Sequence, residues 1–223
     1  MGLLYYAVSS DGEFINAPKF FRKSEHRLSR LQVRLAKKQK HSKAWKVLKG
    51  KIAKLHQLIA ATQRLDWQFK LAYHLFNDCQ VIFLEDLQIA SLVRRCKAKI
   101  GDNGQFLPNG QSAKSGLNKS LQDVAFGKFV QVLEYVAWKL GKRIIKVDPK
   151  GTSQHCWECL SKVPKSLSER WHSCPKCGQE LDRDYNSALL IQKIGLLSTQ
   201  GEDITSVKTA VSASLTEESR VVA

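Results

Sequence analysis

The 223-residue chain has no acidic residue between Glu25 and Asp66, one methionine and only five prolines. It also has no apolar run of the roughly 18 residues that a membrane-crossing helix needs. Nothing in it therefore reads as a transmembrane segment. Residues 1 to 8 lack the charged flank and cleavage site of a secretory leader, so the expected location is the cytoplasm of a prokaryotic cell. Acids are scarce overall: 20 Asp and Glu face 36 Lys and Arg, a net charge of +16. That imbalance disfavours a small neutral substrate and favours a polyanion, nucleic acid before membrane surface.

The stretch without acids carries twelve cations: Arg27, Arg30, Arg34, Lys37, Lys38, Lys40, Lys43, Lys46, Lys49, Lys51, Lys54 and Arg64. Leu28, Leu31 and Leu35 share one helical face and Leu48, Ile52, Leu55 and Ile59 another, with a break at His41-Ser42, so residues 23–76 read as a long helical hairpin. An ordinary solvated face mixes charge signs, because like charges four residues apart destabilise a helix. A face of one sign points to phosphate contact, with Arg27, Arg30, Arg34, Lys37, Lys38, Lys40, Lys43, Lys46 and Lys49 as candidates and Arg183 beyond the hairpin.

Residues 3–8 and 13–21 read as strands of a hairpin around Ser10-Asp11-Gly12. Val81-Ile82-Phe83-Leu84-Glu85 reads as a buried central strand with an acid at its carboxyl end. Residues 94–119 lack periodicity and are expected to form a mobile loop over a site or a disordered insert. Ser120 and Asp123 look like a capping box opening a helix with a stripe from Leu121 to Leu140, and Arg143–Asp148 reads as another strand. Residues 184–194 form a helix, and the last 25 or so residues are expected to be disordered.

Two CxxC pairs, Cys156/Cys159 and Cys174/Cys177, have the spacing of a structural zinc site. Each pair turns two sulfurs toward one ion, and Gly178 permits the left-handed turn behind the second pair. Two disulfides are the alternative, but they need an oxidising compartment. His155 and His172 flank the site, yet four thiolates already close a tetrahedron. Cys79 and Cys96 read as ordinary thiols. Glu85, Asp182 and Asp184 are acids that could converge on divalent cations, although Asp184 also suits a helix cap.

The series Val-Ile-Phe-Leu-Glu85-Asp86-Leu, the long helix, Val147-Asp148-Pro149 with Thr152-Ser153-Gln154, the CxxC pairs and Asp182-Arg183-Asp184-Tyr-Asn186-Ser-Ala188 resembles the transposon-encoded TnpB (OrfB) family. Arg64-Leu-Asp66-Trp67 is similar as well, and the likeness runs from about residue 2 to 195. It implies an α/β, RNase H-like (RuvC) mixed sheet with a long basic helical hairpin and an inserted zinc ribbon, related to the nucleases of type V CRISPR effectors. The implied division is a core over 1–150, a ribbon over 151–181, the last motif and helix over 182–197, and a tail over 198–223.

By the same resemblance, RNA guides DNA cutting and three carboxylates hold two Mg²⁺ ions. Glu85 matches the second and Asp184 the third, ahead of Asp182. The strand bearing the first is missing from these residues, so the sheet is expected to lack most of its first strand, to leave backbone unpaired, and cleavage to be defective. The implied cofactors are one structural Zn²⁺ and catalytic Mg²⁺. The implied partners are DNA, a guide RNA and a separate transposase of the same element. Two other readings stand beside this one: a nuclease-dead regulator that binds RNA or DNA, and a zinc-ribbon binding module of unrelated ancestry.

Overall fold

The computed structural model describes residues 2–166 and 168–199, together with the backbone of Ser219–Val222. It is a mixed α/β protein with small sheets. The chain divides into two compact units, one of Met1–Ala17, Tyr73–Gln88 and Leu133–Ala223, the other of Pro18–Ala72 and Ile89–Val132.

In the first unit, β1 (Tyr5–Val8) and β2 (Phe14–Asn16) form an antiparallel hairpin. The Ser9 hydroxyl accepts from the backbone N–H groups of Asp11 and Glu13 at 3.2 and 3.3 Å, and Gly12 takes the left-handed conformation (φ +83°) that the turn demands. The second strand is shorter than the 13–21 run, because the helix that follows already begins at Phe20.

β3 (Val81–Glu85) is central in a parallel sheet, with β6 (Arg143–Val147) on one edge. Ile82, Phe83 and Leu84 are at most 1% exposed, which is why their run is apolar without alternation. The other edge of β3, expected to lack a neighbour, is paired with β9 (Ser219–Val222), also parallel. Backbone donors and acceptors buried at a strand edge need partners, and this segment supplies them. Of the tail expected to be disordered, Ser198 and Thr199 close α7 (Arg183–Thr199); 200–218 and 223 lie outside the described residues.

Helix α7 lies on β3, and Phe83, Val147, Ala188 and Ile191 form the shared core. A Cβ on Gly195 would stand 2.1 Å from the Phe83 ring, so the helix can approach this closely only with glycine there. A short ribbon of β7 (Trp171–Ser173) and β8 (Glu180–Asp182) leads into α7.

In the second unit, α1 (Phe20–Ala36) and α2 (Lys43–Gln57) form the hairpin, closed by Leu28, Leu55 and Ile59 with Phe20, Phe21, Leu31 and Ile52 around them. Ser42 caps α2 by accepting from the Trp45 N–H at 3.2 Å. A π-helical stretch, Leu58–Arg64, joins α2 to α3 (Leu65–Leu75).

The expected mobile loop over 94–119 is instead structured. After the single turn α4 (Ile89–Leu92), β4 (Lys99–Ile100) pairs with β5 (Phe106–Leu107), and α5 (Gln111–Val124) follows. Its order comes from polar side chains bonded to backbone: Asn109 donates to the Lys97 carbonyl, Asn118 to that of Val93, and Gln111 accepts from the Cys96 N–H. Bonds of this kind leave no apolar period in the sequence.

Asp123 therefore sits near the end of α5 rather than opening a helix. Its carboxylate accepts from the N–H groups of Phe21 and Arg22 at 2.8 and 3.1 Å and pairs with Arg64 at 3.2 Å. It caps α1, which lacks a cap of its own. Ala125 (φ +51°) breaks the chain from α5 into α6 (Phe126–Leu140), whose Phe129, Val132 and Val136 are buried while Leu140, the last of the expected stripe, is exposed.

Candidate functional site

The four cysteines converge. The sulfurs of Cys156, Cys159, Cys174 and Cys177 lie within 4.8 Å of one another and could hold a metal ion. Two like turns bring them there. Leu160 N–H donates to the Cys156 carbonyl at 3.0 Å and Gly178 N–H to that of Cys174 at 2.9 Å; each turn then closes with a second bond, Cys156 to Ser161 and Cys174 to Gln179. Gly178 takes φ +75°, as its sequence position suggested, and Leu160 takes φ +59° at the equivalent place in the first turn. A leucine there gives no sequence signal, because left-handed leucine is rare.

Burial pushes the Cys156 thiol up to about 12. At Cys159 burial acts the same way but is outweighed by hydrogen bonds from Ser161, and the thiol falls to about 6. Four thiolates this close repel one another, so a cation is the natural counterweight. Neither histidine belongs to the cluster: His155 Nδ1 meets the Gly151 carbonyl at 2.9 Å and buried His172 meets Lys165 Nζ at 2.5 Å. Cys79 is buried, with its thiol on the Leu75 carbonyl, and Cys96 lies apart from the cluster.

Helix α7 clamps the first turn. Asn186 accepts from the Trp157 N–H and donates to the His155 carbonyl, at 3.1 and 2.8 Å, and Lys193 donates to the carbonyls of Trp157 and Glu158 at 3.0 Å each. The ribbon thereby fixes the start of α7, where Asp182 and Asp184 stand. Asp182 accepts from the N–H groups of Asp184 and Tyr185 at 2.8 and 3.2 Å and is the helix cap.

Asp184 points elsewhere. With Glu85 it lines a cleft of about 260 Å³, together with Gly2, Thr152, Gln154 and Arg183. Glu85 sits at the carboxyl end of β3, where Thr152 donates to its Oε1 at 2.8 Å. Asp184 is flanked by Arg170 and Arg183, each at 3.6 Å, and its side chain is 30% exposed. Arg183 is mostly buried, reaching the Ser166 carbonyl at 3.5 Å. Asp86 is exposed, on the opposite face of the strand end from Glu85.

On the hairpin, Arg27, Arg30, Arg34, Lys37, Lys38, Lys40, Lys43, Lys46 and Lys49 are all exposed. Among the described residues none of the nine forms an ion pair with a carboxylate, whereas Arg64 is held by Asp123. Lys49 lies over the Trp45 ring. Among the described residues, no helix is long and apolar enough to cross a membrane.

Residues 1–95 match the family model OrfB_IS605, described as "Probable transposase", and residues 126–191 match "Cas12f1-like, TNB domain". "Putative RNA-guided DNA endonuclease InsQ" of Escherichia coli (strain K12) is 30% identical over 195 residues, which are 87% of this chain and 47% of that protein. A "Putative RNA-guided DNA endonuclease" of Streptomyces pristinaespiralis is 28% identical, covering 89% of this chain and 44% of its own length. A solved structure, "Cryo-EM structure of the Cas12f1-sgRNA-target DNA complex", matches with a TM-score of 0.48 at 20% identity, over 80% of this chain and 43% of that one. The chain spans about half the length of these two relatives. The two family models take in the strand hairpin, the basic helices, β3, α6, the ribbon and the start of α7, and over those residues the chain is similar to the TnpB/OrfB family of transposon-encoded proteins.

Proposed function

We propose that this chain is the RuvC-like and zinc-ribbon half of an RNA-guided DNA endonuclease, acting on nucleic acid through the cleft at the end of β3. The observation that carries the reading is that Glu85 and Asp184, on separate elements, line one cleft. Carboxylate oxygens at the rim of a partly open cleft suit hard divalent cations such as Mg²⁺. When bound, such ions stabilise the charge that develops on a phosphate under attack.

The chain's own residues prepare that site. Thr152 fixes Glu85 Oε1 at the cleft. Arg170 and Arg183 steady Asp184 and offer positive charge to a phosphate backbone entering the cleft. Asp182 is engaged as the helix cap, which favours Asp184 as the ligand. The ribbon's ion is Zn²⁺, since four thiolates suit that metal, and its role is structural because no coordination position stays open. The basic hairpin grips phosphates of RNA or DNA.

The resemblance places Glu85 and Asp184 among the catalytic carboxylates, and a chain of these residues is expected to bind nucleic acid. The test is to incubate the purified, zinc-loaded chain with RNA and DNA at several salt concentrations, with and without Mg²⁺. Salt-sensitive binding to both, with any Mg²⁺-dependent cutting abolished by Glu85→Ala, agrees with the proposal; cutting that survives Glu85→Ala contradicts it.

A further inference from the structure

The end of α6 presents two aromatic rings to solvent. Trp138 is 76% exposed and Tyr135, one turn earlier, is 49% exposed. Their ring centroids are 6.0 Å apart with planes inclined at 40°, so the two rings form a broad, shallow surface. Tyr73 adds a third ring. Lys139 Nζ donates to its hydroxyl at 3.1 Å and lies 5.7 Å from its ring centroid. That bond to Tyr73 raises the Lys139 pKa, so the ammonium is charged at neutral pH.

Burying such rings is the usual use of Trp and Tyr, and leaving them exposed costs solvation. The surroundings identify what suits them. From Tyr135 to Val147 the sequence holds Lys139, Lys142, Arg143 and Lys146 and no acid. The nearest acid on the helix, Glu134, is paired with Lys146 at 3.0 Å. Flat rings bordered by cations are complementary to unpaired bases on a phosphate backbone, because every base has a face to stack and every phosphate a charge to neutralise. A duplex hides those faces.

We propose that Tyr135 and Trp138 form a stacking platform for single-stranded nucleic acid, with Lys139 holding the adjacent phosphate. The platform rests on the reading that nucleic acid is the partner, but it is a separate site from the Glu85–Asp184 cleft. It contributes preference for single strands, which the hairpin's cations, blind to base faces, cannot supply.

The experiment measures binding of the zinc-loaded chain to a fluorescein-labelled oligothymidylate and to a duplex of the same length, for the wild-type chain, Trp138→Ala, Trp138→Phe and Lys139→Gln. Trp138→Ala is expected to weaken oligothymidylate binding about tenfold, the loss of one stacked base. It leaves the duplex affinity and the salt dependence unchanged. Trp138→Phe keeps most of the affinity, and Lys139→Gln lowers the salt dependence. Zinc content and circular dichroism establish that each variant is folded. Unchanged oligothymidylate binding by Trp138→Ala, or an equal loss on duplex, overturns the platform alone. A change in sedimentation with no change in binding overturns it in favour of a contact between two copies. If the wild-type chain binds neither probe, the nucleic-acid reading falls as well.

Discussion

The basic hairpin and the cysteine ribbon reach order by opposite means. The hairpin closes over a few apolar side chains and one buried carboxylate: Leu28, Leu55 and Ile59 pack together, and Asp123 ties the start of α1 to Arg64. The nine cations from Arg27 to Lys49 are exposed and, among the described residues, pair with no carboxylate. In the ribbon hardly any apolar surface is available. Among the described residues Val163 is the aliphatic side chain buried with the cysteines, and polar groups nearby are spent on structure, with Asn186 and Lys193 on the first turn and Asp182 on the helix start. The hairpin thus carries charge for binding, while the ribbon positions a carboxylate.

The largest break in this comparison comes from the metal. Cys174→Ser should abolish stoichiometric zinc, forfeiting most of a binding free energy of about 10–16 kcal/mol, while the hairpin keeps its helical signal. Elemental analysis and circular dichroism read the two halves separately; retained zinc, or helices lost together with it, would contradict the separation. Acid should act the same way. Zinc displaces thiol protons, and burial holds the Cys156 proton up to about 12 in the metal-free cluster, so zinc affinity falls as pH falls and strengthens as it rises. Chelator competition at pH 6 and pH 8 checks the sign.

Asp123→Ala attacks the other half. It removes the carboxylate that accepts from two backbone N–H groups and leaves Arg64, 16% exposed, without its counterion, at a cost of about 3–5 kcal/mol. Urea unfolding should register that loss with zinc content intact; a change within about 0.5 kcal/mol, typical of a surface site, would mean the carboxylate does not hold the unit. The smallest effect on stability belongs to the triple variant of Lys37, Lys38 and Lys40 to Gln. Stability should stay within about 0.5 kcal/mol. The slope of log affinity for duplex DNA against log salt should flatten by about 0.9 for each phosphate contact removed. An unchanged slope would assign the contact elsewhere.

Much of this was legible in the sequence because it is local. β3 announces itself as a short apolar run, His41-Ser42 as a break between helices, and the cysteines as two CxxC pairs. What was not legible acts across distance or through backbone. Asp123 caps a helix about a hundred residues earlier, and no spacing rule links it to Phe21. The 94–119 segment is ordered by Asn and Gln bonds to backbone, which look like loop composition. Leu160 mirrors Gly178 without being glycine, and the pairing of Ser219–Val222 with β3 joins residues with no local pattern in common. For the cleft, Glu85, Asp182 and Asp184 were candidates from the sequence and the resemblance preferred Glu85 and Asp184, whereas Thr152, Arg170 and the Asn186–Lys193 clamp needed coordinates.

The central claim is that Glu85 and Asp184 act as one divalent-cation site. It is tested most directly by titrating Mn²⁺, as a stand-in for Mg²⁺, into the zinc-loaded chain and its Glu85→Ala and Asp184→Ala variants, followed by electron paramagnetic resonance. The account predicts saturable binding in the wild-type chain that either substitution abolishes with zinc content unchanged. Binding of the same strength in all three proteins, or none in the wild-type chain, would contradict it.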